Sequence, residues 1–178
     1  GEMLGVSFIS FLAPGLIAMQ VIQQSFSHSS SSFMIGKIQG NIVDVLYAPL
    51  SAAEVTIAVS LAAATRSFMI AAVSILTFYL IIDIQIKHFF LLIIFTFLSS
   101  FILGNIGTII GLWAEKFDHM ASATNFVIVP LSFLSGTFYT TDRLPESIQI
   151  ISKANPFFYM IDGFRYCFIG TSDGSISV

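Results

Sequence analysis

Phe33-Met34-Ile35-Gly36-Lys37-Ile38-Gln39-Gly40-Asn41-Ile42-Val43-Asp44-Val45-Leu46-Tyr47-Ala48-Pro49-Leu50-Ser51 lies between two long apolar runs and is too polar to be membrane core. Wound as a helix at about 100° per residue, it sorts into two faces. Ile35, Ile38, Ile42 and Leu46 fall on one side, and Lys37, Asn41 and Asp44 on the other. Pro49 ends the helix, because it lacks an N–H and disfavours helical geometry in the residue before it. Gly36 and Gly40 weaken it by roughly 1 kcal/mol each relative to Ala, so packing must hold it. Two readings fit: an amphipathic helix resting on the membrane surface, or a docking helix for a partner protein.

Composition sets the class. Hydrophobic residues make up 56% of the 178 and charged residues 10%, and mean hydropathy is +0.90. A soluble domain carries roughly 25% charged residues, so lipid must be the solvent for much of this surface. The net charge of −3 and the lack of a basic cluster give no case for nucleic acid. Cys167 is the only cysteine, which excludes an intrachain disulfide. The chain starts at Gly1 with no charged n-region or cleavage site of a signal peptide, so a cut or processed chain is expected.

A helix crossing a ~30 Å hydrocarbon core needs about 20 mostly apolar residues. Residues 4–22 meet that length, with Pro14 and Gly15 inside and Gln20, Gln23, Gln24 and His28 at a polar exit. The serines at 29–32 read as a short flexible run. A second span is expected at 55–82. It contains Arg66, which costs about 3 kcal/mol deep in a bilayer on insertion scales. The helix can start outside the membrane near Glu54 and let Arg66 snorkel, or Arg66 can face protein; a substrate or gating contact is the functional alternative. Residues 83–88 form a tight polar loop.

The third span, 89–113, repeats Ser100, Gly104, Gly107 and Gly111 at three- and four-residue spacing, the pattern that lets helices approach closely in lipid. Glu115, Lys116, Asp118 and His119 follow; one His among scattered carboxylates makes no metal ligand set. The fourth span, 121–139, is interrupted by Asn125, Pro130 and Gly136. Residues 140–178 are apolar in patches but carry Asp142, Arg143, Glu146, Lys153, Asp162 and Arg165. Asn155-Pro156 suits an N-cap and first helical position. It splits 145–170 into pieces of roughly 14 and 21 Å at ~1.5 Å per residue, each too short to cross. Asp162 and Arg165 stand close enough to pair on one helix face. No 20–50-residue repeat, phosphate-binding loop, nucleophile elbow or zinc motif occurs, so no catalytic constellation is visible.

Several stretches resemble the permease subunits of ABC-2 type ATP-driven transporters, which include drug, polysaccharide and nodulation-factor exporters. They are Phe11-Leu-Ala-Pro-Gly-Leu, Ser31-Ser-Phe-Met-Ile-Gly-Lys-Ile-Gln-Gly-Asn-Ile-Val-Asp, Ala48-Pro-Leu-Ser, Leu112-Trp-Ala-Glu-Lys-Phe-Asp, Asn125-Phe-Val-Ile-Val-Pro-Leu-Ser-Phe-Leu-Ser-Gly-Thr-Phe-Tyr and Asn155-Pro-Phe-Phe-Tyr-Met-Ile-Asp-Gly-Phe-Arg-Tyr. The resemblance implies six spans per subunit and a dimer of permeases with two ATPase subunits, with ATP and Mg held by the ATPase. Against that pattern, this chain is expected to be a fragment without the first and last spans. It implies that 33–47 is a coupling helix facing the cytoplasmic ATPase, with Gly36, Lys37, Gln39, Asn41 and Asp44 as coupling residues.

The expected fold is therefore an all-α polytopic membrane bundle. It has four spanning helices, a cytoplasmic amphipathic coupling helix at 33–47 and a re-entrant helix pair at 145–170 in the outer leaflet. The expected function is a non-enzymatic exporter permease in a bacterial inner membrane. Ser100, Gly104, Gly107 and Gly111 serve helix packing, and Arg66, Asn125 and Pro130 are candidates for the gate or substrate path. No cofactor or metal is expected in this chain; the expected partners are the ATPase, a second permease and lipid. Ser31 and Glu115 are expected on the cytoplasmic side, and Lys87 and Arg143 outside. Plain charge counting runs against that orientation. The alternative is a non-transport assembly or receptor component. An ion-coupled carrier would need midplane carboxylates, which the spans nearly lack. The substrate is not readable from the sequence.

Overall fold

The computed structural model describes residues 2–3, 6–82, 84–138 and 146–170. Asp83, Asp142, Arg143, Pro145 and Asp173 lie outside them. A two-residue antiparallel pair, β1 (Glu2–Met3) with β2 (Val6–Ser7), comes first. Among the described residues every later element is helical, and three are long and apolar enough to cross a membrane: α1 (Phe8–Gln39), α3 (Ala52–Ile81) and α4 (Phe89–Trp113).

α1 differs from the sequence expectation at both ends. It begins at Phe8, and it continues through the serine run without a break. The hydroxyls explain why. Ser25, Ser30 and Ser32 donate to the carbonyls of Val21, Phe26 and His28 one turn back, at 2.6, 2.9 and 2.8 Å. They thereby satisfy themselves on the helix. Being small, they also let neighbours come close: Ser29 and Ser30 are fully buried, and the Ser25 and Ser67 hydroxyls meet at 2.5 Å between α1 and α3. A polar run that reads as a loop is instead the middle of a helix–helix seam.

The expected single helix over 33–47 is two pieces. Residues 33–39 end α1, Gly40 turns the chain at φ +78°, and α2 (Ile42–Tyr47) restarts it. The left-handed conformation at Gly40 stops a helix and favours glycine. Ala48, before Pro49, is extended, as the proline ring requires. α3 then opens on a capping box. Ser51 Oγ accepts from Glu54 N at 3.3 Å, and the Glu54 carboxylate accepts from Ser51 N at 2.7 Å. The Ser-x-x-Glu spacing at 51–54 carried this signal in the sequence. Ser51→Ala is expected to destabilise α3's first turn by about 1 kcal/mol, seen as faster amide exchange at residues 52–56 and unchanged exchange in α4.

α1 is the centre, packed against α3, α4 and α8 (Pro156–Ile169). α1 and α4 run parallel: a Cβ on Gly107 would lie 2.4 Å from the Phe26 carbonyl oxygen, and one on Gly111 2.7 Å from that of Ser30. At Gly104 three helices converge, with Ser29 of α1 and Ala63 of α3 beside it. Ser100 is buried and donates to the Thr96 carbonyl. Small residues thus set how closely these helices approach.

Residues 117–133 form a shorter interrupted helix: α5 (Phe117–Ala123), a π-helical turn (Thr124–Ile128) and α6 (Val129–Phe133). Pro130, which cannot donate to the ladder, follows the widened turn. The stretch starts before and stops short of 121–139, and Gly136 turns the chain at φ +74°. α7 (Glu146–Ala154) and α8 end the described chain. Asn155 caps α8, its side chain accepting from Phe157 N at 3.0 Å, with Pro156 in the first turn.

Candidate functional site

The two ends of the bundle are built differently. At one end lie the C-termini of α1 and α4, the N-terminus of α3, and α2. At the other, α8 rests on the N-terminal parts of α1 and α4: Arg165 lies over Phe11, and Gly163 against Phe95.

At the α2 end, Lys37 does not project with Asn41 and Asp44. Its ammonium donates to the carbonyls of Leu112 and Ala114, the latter at 2.9 Å. A cation is favoured at a helix C-terminus, where the last carbonyls are unpaired, so Lys37 ties α1 to the end of α4. The break at Gly40 also changes the face pattern. Ile38 is 63% exposed and Leu46 72%, and α2 has no buried residue. Gln39, Asn41 and Asp44 are exposed, with Asn41 Nδ2 donating to Gln39 Oε1 at 3.3 Å; Gly36 is half-buried beside Ile42. Cavities of about 330 and 270 Å³, both lined by Phe33, Ile42, Val45 and Val55, flank α2. An exposed six-residue helix with unfilled space beside it is held by few contacts, and such elements lie at the low end of local stability. A surface of this kind can shift under a partner's push.

Arg66, Asn125 and Pro130 do not form one cluster. Arg66 is exposed on α3, its Nη1 3.2 Å from His28 Nδ1 on α1. Asn125 is exposed in the π-helical turn and Pro130 at the start of α6. α3 packs on α1 and α4, whereas the π-helical turn packs on α1 and its own neighbours.

At the α8 end, several residues carry more than the sequence disclosed. Asn155 Nδ2 donates to the Leu131 carbonyl at 2.8 Å and to Ser135 Oγ at 2.9 Å, pinning α8 to the end of α6. Arg165 is fully buried, and its Nη2 donates to the Gly136 carbonyl at 2.8 Å. Lys87 donates to the Ile169 carbonyl, and the Lys87 and His88 N–H groups both reach the Cys167 carbonyl at 3.0 Å. Each bond is non-local, so no spacing announces it; the Gly136 turn that aims its carbonyl is the nearest signal. Burial pushes the Cys167 thiol up to about 12, and its Sγ lies 3.0 Å from the Gly163 carbonyl. We expect Cys167 to stay unlabelled by an impermeant maleimide at pH 7.5 in folded protein and to label in denaturant.

Among the described residues no group of three His, Cys, Asp or Glu side chains could hold a metal. A sequence model of the family described as "ABC-2 type transporter" matches residues 3–169. The chain is 31% identical over 173 residues to "Inner membrane transport permease YadH" of Escherichia coli strain K12, covering 97% of this chain and 68% of that protein. It is 25% identical over 174 residues to "Nodulation protein J" of Rhizobium leguminosarum bv. viciae, covering 96% and 66%. No solved structure matches it.

Proposed function

Since this chain belongs to the ABC-2 type transporter family, we propose that it is the permease part of an ATP-driven exporter in a bacterial inner membrane. It works as a dimer with a separate ATPase subunit, which binds ATP and Mg; this chain supplies the path and the gate. The observation that carries this reading is the exposed, loosely held α2 at the bundle end opposite α8. A similar relative is named an inner membrane transport permease, which supports the membrane and the activity.

In this reading α1, α3, α4 and residues 117–133 cross the membrane. At ~1.5 Å per residue α1 and α3 are each about 45 Å or longer, beyond a ~30 Å core, so both extend past the lipid on the α2 side. Gly36, Gln39, Asn41 and Asp44 meet the ATPase there. Lys37 transmits the push to the end of α4. α7 and α8, too short to cross, sit in the outer leaflet. ATP binding biases a two-state bundle by moving α2.

The test is Asp44→Lys in the full-length permease. It is expected to weaken co-purification of the ATPase at least tenfold and lower ATP-driven transport, with membrane insertion unchanged. Normal co-purification and transport would remove α2 from the docking surface.

A further inference from the structure

Arg66 is a cation at membrane depth with no acid beside it among the described residues. α1 and α4 contain no Asp or Glu, and α3 has only Glu54, in its first turn. Arg66 stands about 18 Å further along the axis at ~1.5 Å per residue. The contacts of Ser25 with Ser67 and of Phe26 with Gly107 set its level. It lies about 9 Å past the middle of α4, inside the ~15 Å half-thickness of the hydrocarbon core. An exposed guanidinium at that depth is costly unless an anion or water meets it.

The chemistry beside Arg66 narrows what meets it. Arginine only donates, so His28 Nδ1 accepts at 3.2 Å and the imidazole proton sits on Nε2. His28 thus holds the guanidinium, whose other N–H groups are left to donate. An open cavity of about 490 Å³ adjoins Arg66 on α3, lined by Arg66, Met69, Ile70, Val73 and Ser74. Val73 and Ser74 also line a second cavity, of about 250 Å³, which continues past Gln20 of α1 to Phe78. From Arg66 to Phe78 the groove is about 18 Å long, so it crosses the level of the middle of α4 and ends about 9 Å beyond it. It is charged at one end and mainly apolar along its length.

We infer that Arg66, held in place by His28, binds the anionic headgroup, carboxylate or phosphate, of an amphiphile whose apolar chain lies along α3 from Arg66 towards Phe78. The guanidinium takes the anion through paired N–H groups. That the amphiphile is transported rests on the permease reading; the binding site does not.

The experiment uses the full-length permease in phosphatidylcholine nanodiscs and two fluorescent probes, 11-(dansylamino)undecanoic acid and its methyl ester. The acid is expected to bind at least tenfold tighter than the ester. Arg66→Gln is expected to erase that difference with ester binding unchanged, and Arg66→Lys to keep part of it. Equal affinities in the unmodified protein, or an Arg66→Gln variant that still prefers the acid, would overturn the site. Repeating the titration in discs half phosphatidylglycerol assigns the source. Loss of the acid's advantage there identifies a membrane phospholipid as occupant, and its retention identifies a solute. Failure of the ATPase to co-purify would sink the permease reading and leave these affinities as they are.

Discussion

Gly107→Leu is expected to abolish folded, monodisperse protein. A Cβ at this position already falls 2.4 Å from the Phe26 carbonyl oxygen and 3.2 Å from its Cα. Both are backbone atoms of α1, so no side chain can swing aside, and the two helices must separate. Overpacking costs typically 1–3 kcal/mol. Here the whole α1–α4 contact is forced apart, so the loss lies at the upper end or beyond. Gly107→Ala tests the geometry more finely. Alanine gains roughly 1 kcal/mol over glycine in a helix interior, so a net loss with alanine isolates the clash. Gly36→Ala is the control, because the nearest atom to its Cβ is 3.8 Å away; that variant is expected to be neutral or slightly stabilised. Fluorescence-detected size exclusion after a temperature ramp reads all three. A Gly107→Leu protein that elutes and melts like the parent would mean that α1 and α4 do not meet here.

The second large effect is expected at Arg165. Its guanidinium donates to the Gly136 carbonyl and sits 3.8 Å from the centroid of the Phe11 ring, next to Gly15. One side chain thus joins α8 to α1 and to the turn after α6. A hydrogen bond to a charged group contributes about 1.5–3 kcal/mol, and a desolvated cation–π contact about 2. Arg165→Leu is therefore expected to lose about 3 kcal/mol or more. Arg165→Lys should recover little, since an ammonium lacks the planar face and the fork of donors. The signature is regional: proteolysis should open residues 134–170 first, while α1, α3 and α4 stay protected. Wild-type melting and proteolysis in the leucine variant would show that α8 is held by its apolar contacts alone.

The sequence was legible where local chemistry decides structure. Long apolar runs specify α3 and α4, and the small residues at 100–111 mark a close helix contact. Asn155-Pro156 announces the start of α8 because an N-cap needs only its own neighbours. Residues 29–32 mislead because polarity suggests solvent exposure, whereas serine hydroxyls bond back to their own helix and bury well. The candidate coupling surface was half legible. Propensity alone makes Gly40 a weak point, whereas its φ of +78° makes it a break, and with the break the faces of 33–47 no longer continue one another. The helical pattern alone points Lys37 outward, because its partners, carbonyls at Leu112 and Ala114, are distant in the chain. The same holds for Arg165 and Gly136: tertiary turns aim such carbonyls, and no spacing records them.

The most direct test of the permease account is photo-crosslinking in the full-length complex with its ATPase. A benzophenone amino acid is placed at Asp44 or at Tyr159, both exposed and at opposite ends of the bundle. The account predicts an adduct with the ATPase from position 44 and none from position 159. An ATPase adduct from 159, or none from 44 in a complex that still co-purifies, would contradict it.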